Sequence, residues 1–486
     1  MAQYIFKRLL LFIPTLFIIS LITFFITVHT PGDPVDRMLH NTAQAPEQSI
    51  TSIFGNSIEK QRTLLREKLG LNLPLFYFSL RSAAAPDSLY KIFPVNERNT
   101  LSILVSHFGN WGLISNYYLN LSSIKKNIEE QKNTIPQRNL NSLSILSKML
   151  ALVSELKSTS DRHTIESKLR MLKLLSLETS AVIRQSIIEL DQNFTLLTQS
   201  KKSINSYIPV IDFHPANQYH RWLFGDGKMT EGVLSGDFGI SYSTNQPVMT
   251  FIFERLPWTL FFSIVPIMLA YLISIPLALR MVNRKNMNFD KRMSAFLSLL
   301  YSLPVFWFAT LLLMLFANPS TLQLFPASGV RPLIYMEDDF NFFSKLLSTI
   351  PYLILPTICY AYSFIVIFTR MLRTSLLDTL SQEYIKTARA KGLTEKLVLR
   401  KHALRNALLP TITLMAHVFP MAVGGSVVIE SVFTIPGLGS GIYESIQSQD
   451  YPVMICIFTI TGLMTLIGYL VSDILYAIVD PRIRFQ

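Results

Sequence analysis

The chain has 486 residues, of which half are hydrophobic and only 16% are charged, and its formal net charge is +12. Soluble domains typically carry about 25% charged residues, so this composition excludes an ordinary soluble enzyme and indicates a membrane protein. The two cysteines, Cys359 and Cys456, both fall inside apolar runs, which excludes a disulfide framework and a thiolate metal site.

Six uncharged apolar stretches are long enough to cross a membrane as helices. A bilayer core of about 30 Å needs roughly 20 apolar residues, and none of the six contains Asp, Glu, Lys or Arg. The first stretch follows Lys7 and Arg8, but no small-x-small cleavage site comes after it, so we interpret it as an uncleaved helix. The predicted spans are residues 9–28, 257–279, 293–317, 346–369, 407–429 and 451–472.

The basic residues predict the orientation of these spans. Residues 280–292 hold five Lys or Arg and residues 370–406 hold nine, whereas residues 430–450 hold none. Short loops rich in Lys and Arg stay in the cytoplasm. Both basic loops and both termini are therefore predicted to be cytoplasmic. Because topology alone accounts for these charges, we expect no nucleic-acid partner.

Residues 29–256 are then predicted to lie outside, and residues 81–216 within them read as a hydrophilic insert. Long segments are translocated regardless of their charge, so the basic residues here do not contradict the topology. Two apolar stripes at helical spacing predict helices that pack face to face. The stripes are Leu143, Leu146, Leu150 and Val153, followed by Ile183, Ile187, Leu190, Phe194 and Leu197.

The basic loop 370–406 has a helical pattern of its own. Its sequence "SLLDTLSQEYIKTARAKGL" predicts one helix over residues 375–391, ended by Gly392. The small residues Ala388 and Ala390 would let another surface approach the backbone closely. From these residues alone two interpretations stay open, namely docking to a water-soluble partner or a helix lying on lipid headgroups.

Several motifs together resemble the B-type permease subunit of dipeptide, oligopeptide and nickel ABC importers, a family of binding-protein-dependent inner-membrane transport components. The segment "EYIKTARAKGL…HALRNALLP" resembles the cytoplasmic coupling loop of that family. The family's other elements are matched in order by "FIPTLFIISLITFF" with "PGDP", "LREKLGLNLPL", "GDFGISYSTNQPV", "ESVFTIPGLGSGI", "QDYPV" and "LYAIVDPRIRF". The resemblance covers residues 1–80 and 217–486 and leaves the insert 81–216 unmatched.

The resemblance implies an all-α integral membrane protein with six transmembrane helices, the type I ABC importer permease fold, and a helical extracytoplasmic insert. It implies a subunit of a bacterial cytoplasmic (inner) membrane importer that forms half of a translocation path for peptides and works by alternating access. Nickel or another small solute is the alternative cargo, and a channel or scaffold without ATPase coupling is the alternative function. The predicted domains are 1–80, 81–216, 217–256 and a five-helix core, 257–486.

The resemblance also implies partners. No G-x-x-x-x-G-K-[ST] phosphate loop occurs in the sequence, so ATP hydrolysis is expected on two separate ATP-binding subunits, and we expect this chain to be no enzyme and to need no cofactor or metal. A C-type permease subunit, an extracytoplasmic substrate-binding protein and membrane lipid complete the expected assembly. The expected ATPase contacts are Glu383, Tyr384, Thr387, Ala388, Ala390, Gly392 and Leu393, and the candidates for a gate or close helix contact are Gly424, Gly425 and Ser426.

A protease acting inside the membrane is the competing class of function. It would need paired aspartates, a Ser–His pair or a zinc motif, yet the predicted spans contain no aspartate and the sequence has no H-E-x-x-H. Spans without carboxylates also argue against a proton-coupled transporter.

Overall fold

The computed structural model divides into two compact units, one formed by Met1–Thr30 and Phe238–Gln486 and the other by Pro31–Asp237. Both units are built mainly from helices. The residues described are 2–30, 33–35, 38–39, 55–93, 95–134, 140–200, 202–227, 230–283, 287–331, 342–423 and 427–479. In chain order the elements up to the end of the second unit are α1 (Ala2–Val28), α2 (Gly55–Leu69), β1 (Phe78–Ser82), α3 (Val95–Phe108), α4 (Trp111–Thr134), α5 (Leu140–Lys157), α6 (Arg162–Ser176), α7 (Ala181–Gln199), β2 (Pro209–Phe213) and α8 (Gln218–Phe224). They continue with α9 (Val248–Val282), α10 (Met287–Ser302), α11 (Val305–Phe316), α12 (Phe342–Leu380), α13 (Glu383–Ala390), α14 (Glu395–Leu397), a π-helical segment (Val398–Ala403), α15 (Leu404–Val423), α16 (Val427–Val432), α17 (Leu438–Ser448) and α18 (Tyr451–Val479).

The first unit is a bundle of long apolar helices. Helix α9 packs along α12, and α18 packs against both α15 and α1. Helices α1 and α18 meet at Asp473, which forms an ion pair with Arg8 at 2.7 Å and accepts a hydrogen bond from the Tyr4 hydroxyl at 2.9 Å. This contact fixes the start of α1 to the last turns of α18.

Among the described residues, four helices are long and apolar enough to cross a membrane, namely α1, α9, α12 and α18. Helices α10 and α11 would make a fifth span together, but they are bent by 99° at Leu303 and Pro304. Proline cannot donate a backbone hydrogen bond, so Pro304 interrupts the helical ladder. At the bend, the carbonyl of Leu303 accepts a hydrogen bond from the Tyr362 hydroxyl at 3.1 Å. The predicted third span is therefore not one straight helix. Helix α15 occupies the fifth predicted span as far as Val423.

The second unit has a helical core, as the apolar stripes predicted. All five stripe residues of α7, from Ile183 to Leu197, are buried, and in α5 Leu146 and Val153 are buried with them. Helix α4 packs against α5 and α7. The helical character predicted for this region is confirmed.

A two-stranded antiparallel ribbon also belongs to the second unit, and the sequence analysis missed it. Strand β1 pairs with β2 in a register that places Phe78 opposite Phe213 and Leu80 opposite Ile211. The ribbon joins two parts of the chain that lie on either side of α3–α7. The unit is therefore not wholly helical.

Candidate functional site

The predicted helix over residues 375–391 is wrong as a single element. Helix α12 ends at Leu380 and α13 begins at Glu383, with Gln382 in extended backbone between them (φ −73°, ψ 149°). The Ser381 hydroxyl donates to the carbonyl of Asp378 at 2.7 Å. Short polar side chains of this kind compete with the helical hydrogen bonds and favour a break.

The break allows α13 to bury one face in the first unit. Ile385 and Ala388 enter an apolar cluster built from the end of α9, the end of α12, the π-helical segment and the start of α15. Ile385 is fully buried and Ala388 is 6% exposed. Burying an isoleucine side chain contributes about 1.5–3 kcal/mol, so α13 is held as a fixed ridge. The cluster consists of Ala278, Val282, Leu372, Leu376, Ile385, Ala388, Val398, Leu399, Ala403 and Ala407.

The turn after α13 requires glycine. Gly392 has φ +80°, the left-handed region, and its N–H donates to the carbonyl of Arg389 at 2.9 Å. Arg389 spans the turn through a two-point ion pair with Glu395, at 2.6 and 3.1 Å. This hydrogen bonding raises the pKa of the Arg389 guanidinium above its ordinary value. The prediction that Gly392 ends the helix is confirmed.

The opposite face of α13 is open to solvent. Of the seven residues expected to contact an ATPase, five are exposed, Leu393 is half-buried, and Ala388 lies inside the apolar cluster. Because Ala388 packs against this chain's own core, it positions the helix and does not present a contact surface. The five exposed residues are Glu383, Tyr384, Thr387, Ala390 and Gly392.

Two polar contacts that the sequence analysis missed tie this region to the helices around it. The Asn406 side chain donates to the Tyr384 hydroxyl at 2.7 Å, which links α13 to the first turn of α15. Arg373 near the end of α12 donates twice to Asp290 in the first turn of α10, both at 2.6 Å. A displacement of α13 would therefore reach α15 directly.

A second polar cluster surrounds Glu430, which is 1% exposed. Its carboxylate accepts a hydrogen bond from the N–H of Ser440, in the first turn of α17, at 2.7 Å. The hydroxyl of Thr259 in α9 accepts the N–H of Leu438 at 2.8 Å. A carboxylate at a helix N-terminus is favoured by the helix dipole and by the free N–H groups there. This cluster therefore fixes α17 to α16 and α9.

Gly437 in the same cluster leaves no room for a side chain. A Cβ built there would lie 2.4 Å from the Glu430 carboxylate. We expect Gly437→Ala to lower the stability of the solubilised protein by about 1–3 kcal/mol, because a fixed buried group would have to move. Gly441→Ala is the graded control, since its nearest atom is a Phe251 ring carbon at 3.1 Å. Thermal unfolding in detergent measures the stability of both variants. An equal loss of stability in the two would contradict the close contact between Gly437 and Glu430.

Asp450 holds a third polar cluster at the start of α18. Its carboxylate is buried and accepts hydrogen bonds from the hydroxyls of Ser241 and Ser243, at 2.5 and 2.8 Å, and from the N–H groups of Tyr242 and Ser243, both at 3.1 Å. Charged acceptors form the stronger protein hydrogen bonds. The segment "ISYST" is therefore clamped onto the first turn of α18.

The gate candidates Gly424, Gly425 and Ser426 lie outside the described residues. In the described part of the chain, one group of three side chains has the spacing of metal ligands, namely Asp87, Asp212 and His214. Arg81 already forms a two-point ion pair with Asp212, and Ser79 is hydrogen-bonded to His214. We assign no metal to this group, because Asp212 and His214 already have partners.

Comparison with known proteins places the α13 region inside a recognised family. The profile of the family described as "binding-protein-dependent transport system inner membrane component" matches residues 270–485. The oligopeptide transport system permease protein AppB of Bacillus subtilis (strain 168) is 41% identical over 271 residues, which make up 55% of this chain and 80% of AppB. The chain belongs to this family.

Two further proteins are similar to this permease. The dipeptide transport system permease protein DppB of Lactococcus lactis subsp. cremoris (strain MG1363) is 38% identical over 52% of this chain and 77% of DppB. A solved structure of the MetNI methionine ABC transporter in an inward-facing conformation covers 48% of this chain and 97% of its own, with 17% identity and a TM-score of 0.37.

The family membership confirms the predicted fold class and function class. The protein is a helical, multi-pass inner-membrane permease subunit, and the basic segment between α12 and α15 lies within the matched range. Glu430 and Asp450 also lie within the matched range, whereas Thr259 and Ser241, which belong to the same two clusters, precede it. The motifs "ESVFTIPGLGSGI" and "QDYPV" thus acquire a physical role, since each supplies a buried carboxylate that caps or clamps a neighbouring segment.

Proposed function

We propose that this permease forms half of a translocation path for peptides and is driven by ATP hydrolysis on partner subunits. The similarity to AppB and DppB, whose names state oligopeptide and dipeptide transport, supports peptides as the cargo. A path lined by uncharged helices suits a cargo with variable side chains. Nickel or another small solute stays the alternative cargo.

The observation that carries the proposal is the two-sided character of α13. One face is locked into the bundle by Ile385 and Ala388, and the other exposes Glu383, Tyr384, Thr387 and Ala390. An exposed helix that is rigidly packed on its other face is suited to transmit force from a soluble partner. We assign the exposed face, together with Gly392 and Leu393, as the contact surface for an ATP-binding subunit.

Force applied to α13 would reach the path through the contacts already described. The apolar cluster joins α13 to α9, α12 and α15, and Tyr384 adds the direct link to Asn406. Movement of α13 as the ATPases close would therefore tilt these three helices together. Rigid-body rocking of packed helices around a central site is one physical form of alternating access.

The orientation and the assembly follow from the same proposal. The basic loops, and with them α13 and both termini, face the cytoplasm, whereas the second unit lies outside. The full importer contains a C-type permease subunit beside this one, two ATP-binding subunits and an extracytoplasmic substrate-binding protein. Gly424, Gly425 and Ser426 stay candidates for a hinge or close helix contact within the path.

Reconstitution of the complete importer in lipid vesicles tests this function. With its own ATPase, C-type permease and binding protein, we expect ATP-dependent uptake of a labelled peptide library and no uptake with a non-hydrolysable ATP analogue. Labelled nickel is offered in parallel. Uptake of nickel alone would show that nickel, and not peptide, is the cargo. Flux that does not require ATP would show that the protein is a channel and not an importer subunit.

A further inference from the structure

The ribbon formed by β1 and β2 presents an apolar face to the outside of its unit. Phe78, Leu80, Ile211 and Phe213 point to the same side, because they alternate along the strands and pair across them. They are 62–75% exposed. Large aromatic and aliphatic side chains in cross-strand pairs normally pack on a core, so the exposure of all four requires an explanation.

Three of the four residues on the inward face of the ribbon are polar, and the fourth is Val210, which is the reverse of the usual arrangement. Arg81 forms an ion pair with Asp212, its diagonal neighbour on the opposite strand, and also donates to the carbonyl of Ala85. Ser79 is hydrogen-bonded to the buried His214 at 2.9 Å. A shift of one residue would exchange the two faces, and these contacts hold the register against it. The apolar face is therefore fixed outward by specific interactions.

The charges around this face suit a lipid surface. Within the two strands, which the structure describes in full, both charged residues, Arg81 and Asp212, lie on the inward face. Just before β2, the exposed Tyr207 lies under the ammonium group of Lys202, 4.5 Å from the ring centre. Tyrosine and lysine are the side chains that favour the boundary between lipid headgroups and acyl chains.

We propose that this ribbon is a membrane-contact element whose apolar face enters the headgroup–acyl boundary of the bilayer, with Lys202 placed to meet lipid phosphate. The protein resides in a membrane through its permease core, so a bilayer surface is available to its second unit. A short amphipathic segment gains affinity for the interface in proportion to the apolar area it buries there. The contact would restrain the second unit at the membrane surface.

A lipid-quenching experiment on the full chain tests the proposal without reference to cargo or ATPase. An environment-sensitive fluorophore is attached at Leu80→Cys in protein reconstituted in equal parts of phosphatidylcholine and phosphatidylglycerol, with or without brominated acyl chains. Leu174→Cys is the matched control, because it is also a leucine of the second unit and is 68% exposed, on α6. The native Cys359 and Cys456 are buried, which keeps background labelling low.

We expect brominated lipid to reduce the emission of the Leu80 probe and to leave that of the Leu174 probe unchanged. Equal, unquenched emission from both probes would overturn the proposal, since the ribbon would then lie in water. A blue-shifted Leu80 probe that brominated lipid does not quench would also overturn it and assign the face to a protein partner. Either result leaves the transport proposal untouched, because transport is measured separately.

Discussion

Thr387→Trp is expected to abolish both co-purification of the ATP-binding subunits and ATP-dependent uptake, while the permease itself stays folded. Thr387 lies on the exposed face of α13, and its hydroxyl donates to the carbonyl of Glu383 in the preceding turn, at 3.2 Å. Tryptophan and threonine have similar helix propensities, so the change adds bulk where we place the partner without disturbing the packed face.

The chain offers a closely matched control for this variant. Thr374 on α12 is also exposed, and its hydroxyl also donates four residues back, to the carbonyl of Arg370 at 3.1 Å. Thr374→Trp should therefore retain the ATPase and its uptake activity. Affinity purification of the permease and a vesicle uptake assay provide the two readouts. If the Thr387→Trp variant retained the ATPase, the exposed face of α13 would not be the contact surface.

Gly392→Val is expected to abolish uptake, whereas Gly392→Asn retains most of it. No atom lies within 4 Å of a Cβ built at Gly392, so the space for a side chain is ample and the constraint is the positive φ. A residue that has a Cβ and adopts the left-handed backbone conformation costs roughly 1–2 kcal/mol. Asparagine tolerates this region far better than a β-branched residue does.

Comparing valine with asparagine separates backbone conformation from bulk, because the two side chains are of similar size. The measurement is uptake together with protease sensitivity at the α13–α14 turn, which should rise in the valine variant alone. Equal loss in both variants would indicate that the partner contacts the glycine itself. Equal retention would show that the turn does not position α13.

The membrane character and the ending of α13 could be predicted from the sequence, because each depends on local pattern. Gly392 follows a helical stretch, and the stripe in α7 has the 4-3-4-3 spacing of a buried helix face. Such signals depend on the chain's own periodicity. They therefore do not depend on tertiary contacts with the rest of the protein.

The break between α12 and α13 could not be predicted in the same way. Leu376 and Ile385 are nine residues apart, about 2.5 turns of an α-helix, so in one continuous helix they would lie on opposite faces. Both are buried in one cluster, which a break at Ser381 and Gln382 makes possible. The decisive contact is tertiary, and the alternative spacing of Leu376, Leu380 and Tyr384 fitted a longer helix equally well.

The bend at Pro304 and the ribbon illustrate two other reasons for missed elements. A proline inside an apolar stretch is compatible with a membrane helix, and only the Tyr362 contact and the angle itself reveal the break. In the ribbon, "FSLRS" alternates between apolar and polar residues over its first four positions, whereas "PVIDF" begins with three apolar residues, so the signal was weak. The two strands are far apart in sequence, and their pairing was not evident.

The location of α13 in the cytoplasm is the claim on which the account most depends. The direct measurement is labelling of Ala390→Cys by a membrane-impermeant maleimide in cells with an intact inner membrane, since Ala390 is exposed and the native cysteines are buried. Leu174→Cys in the second unit serves as the outward-facing reference. The account predicts labelling of Leu174→Cys in intact cells and of Ala390→Cys only after the inner membrane is opened. Labelling of Ala390→Cys before opening would contradict it.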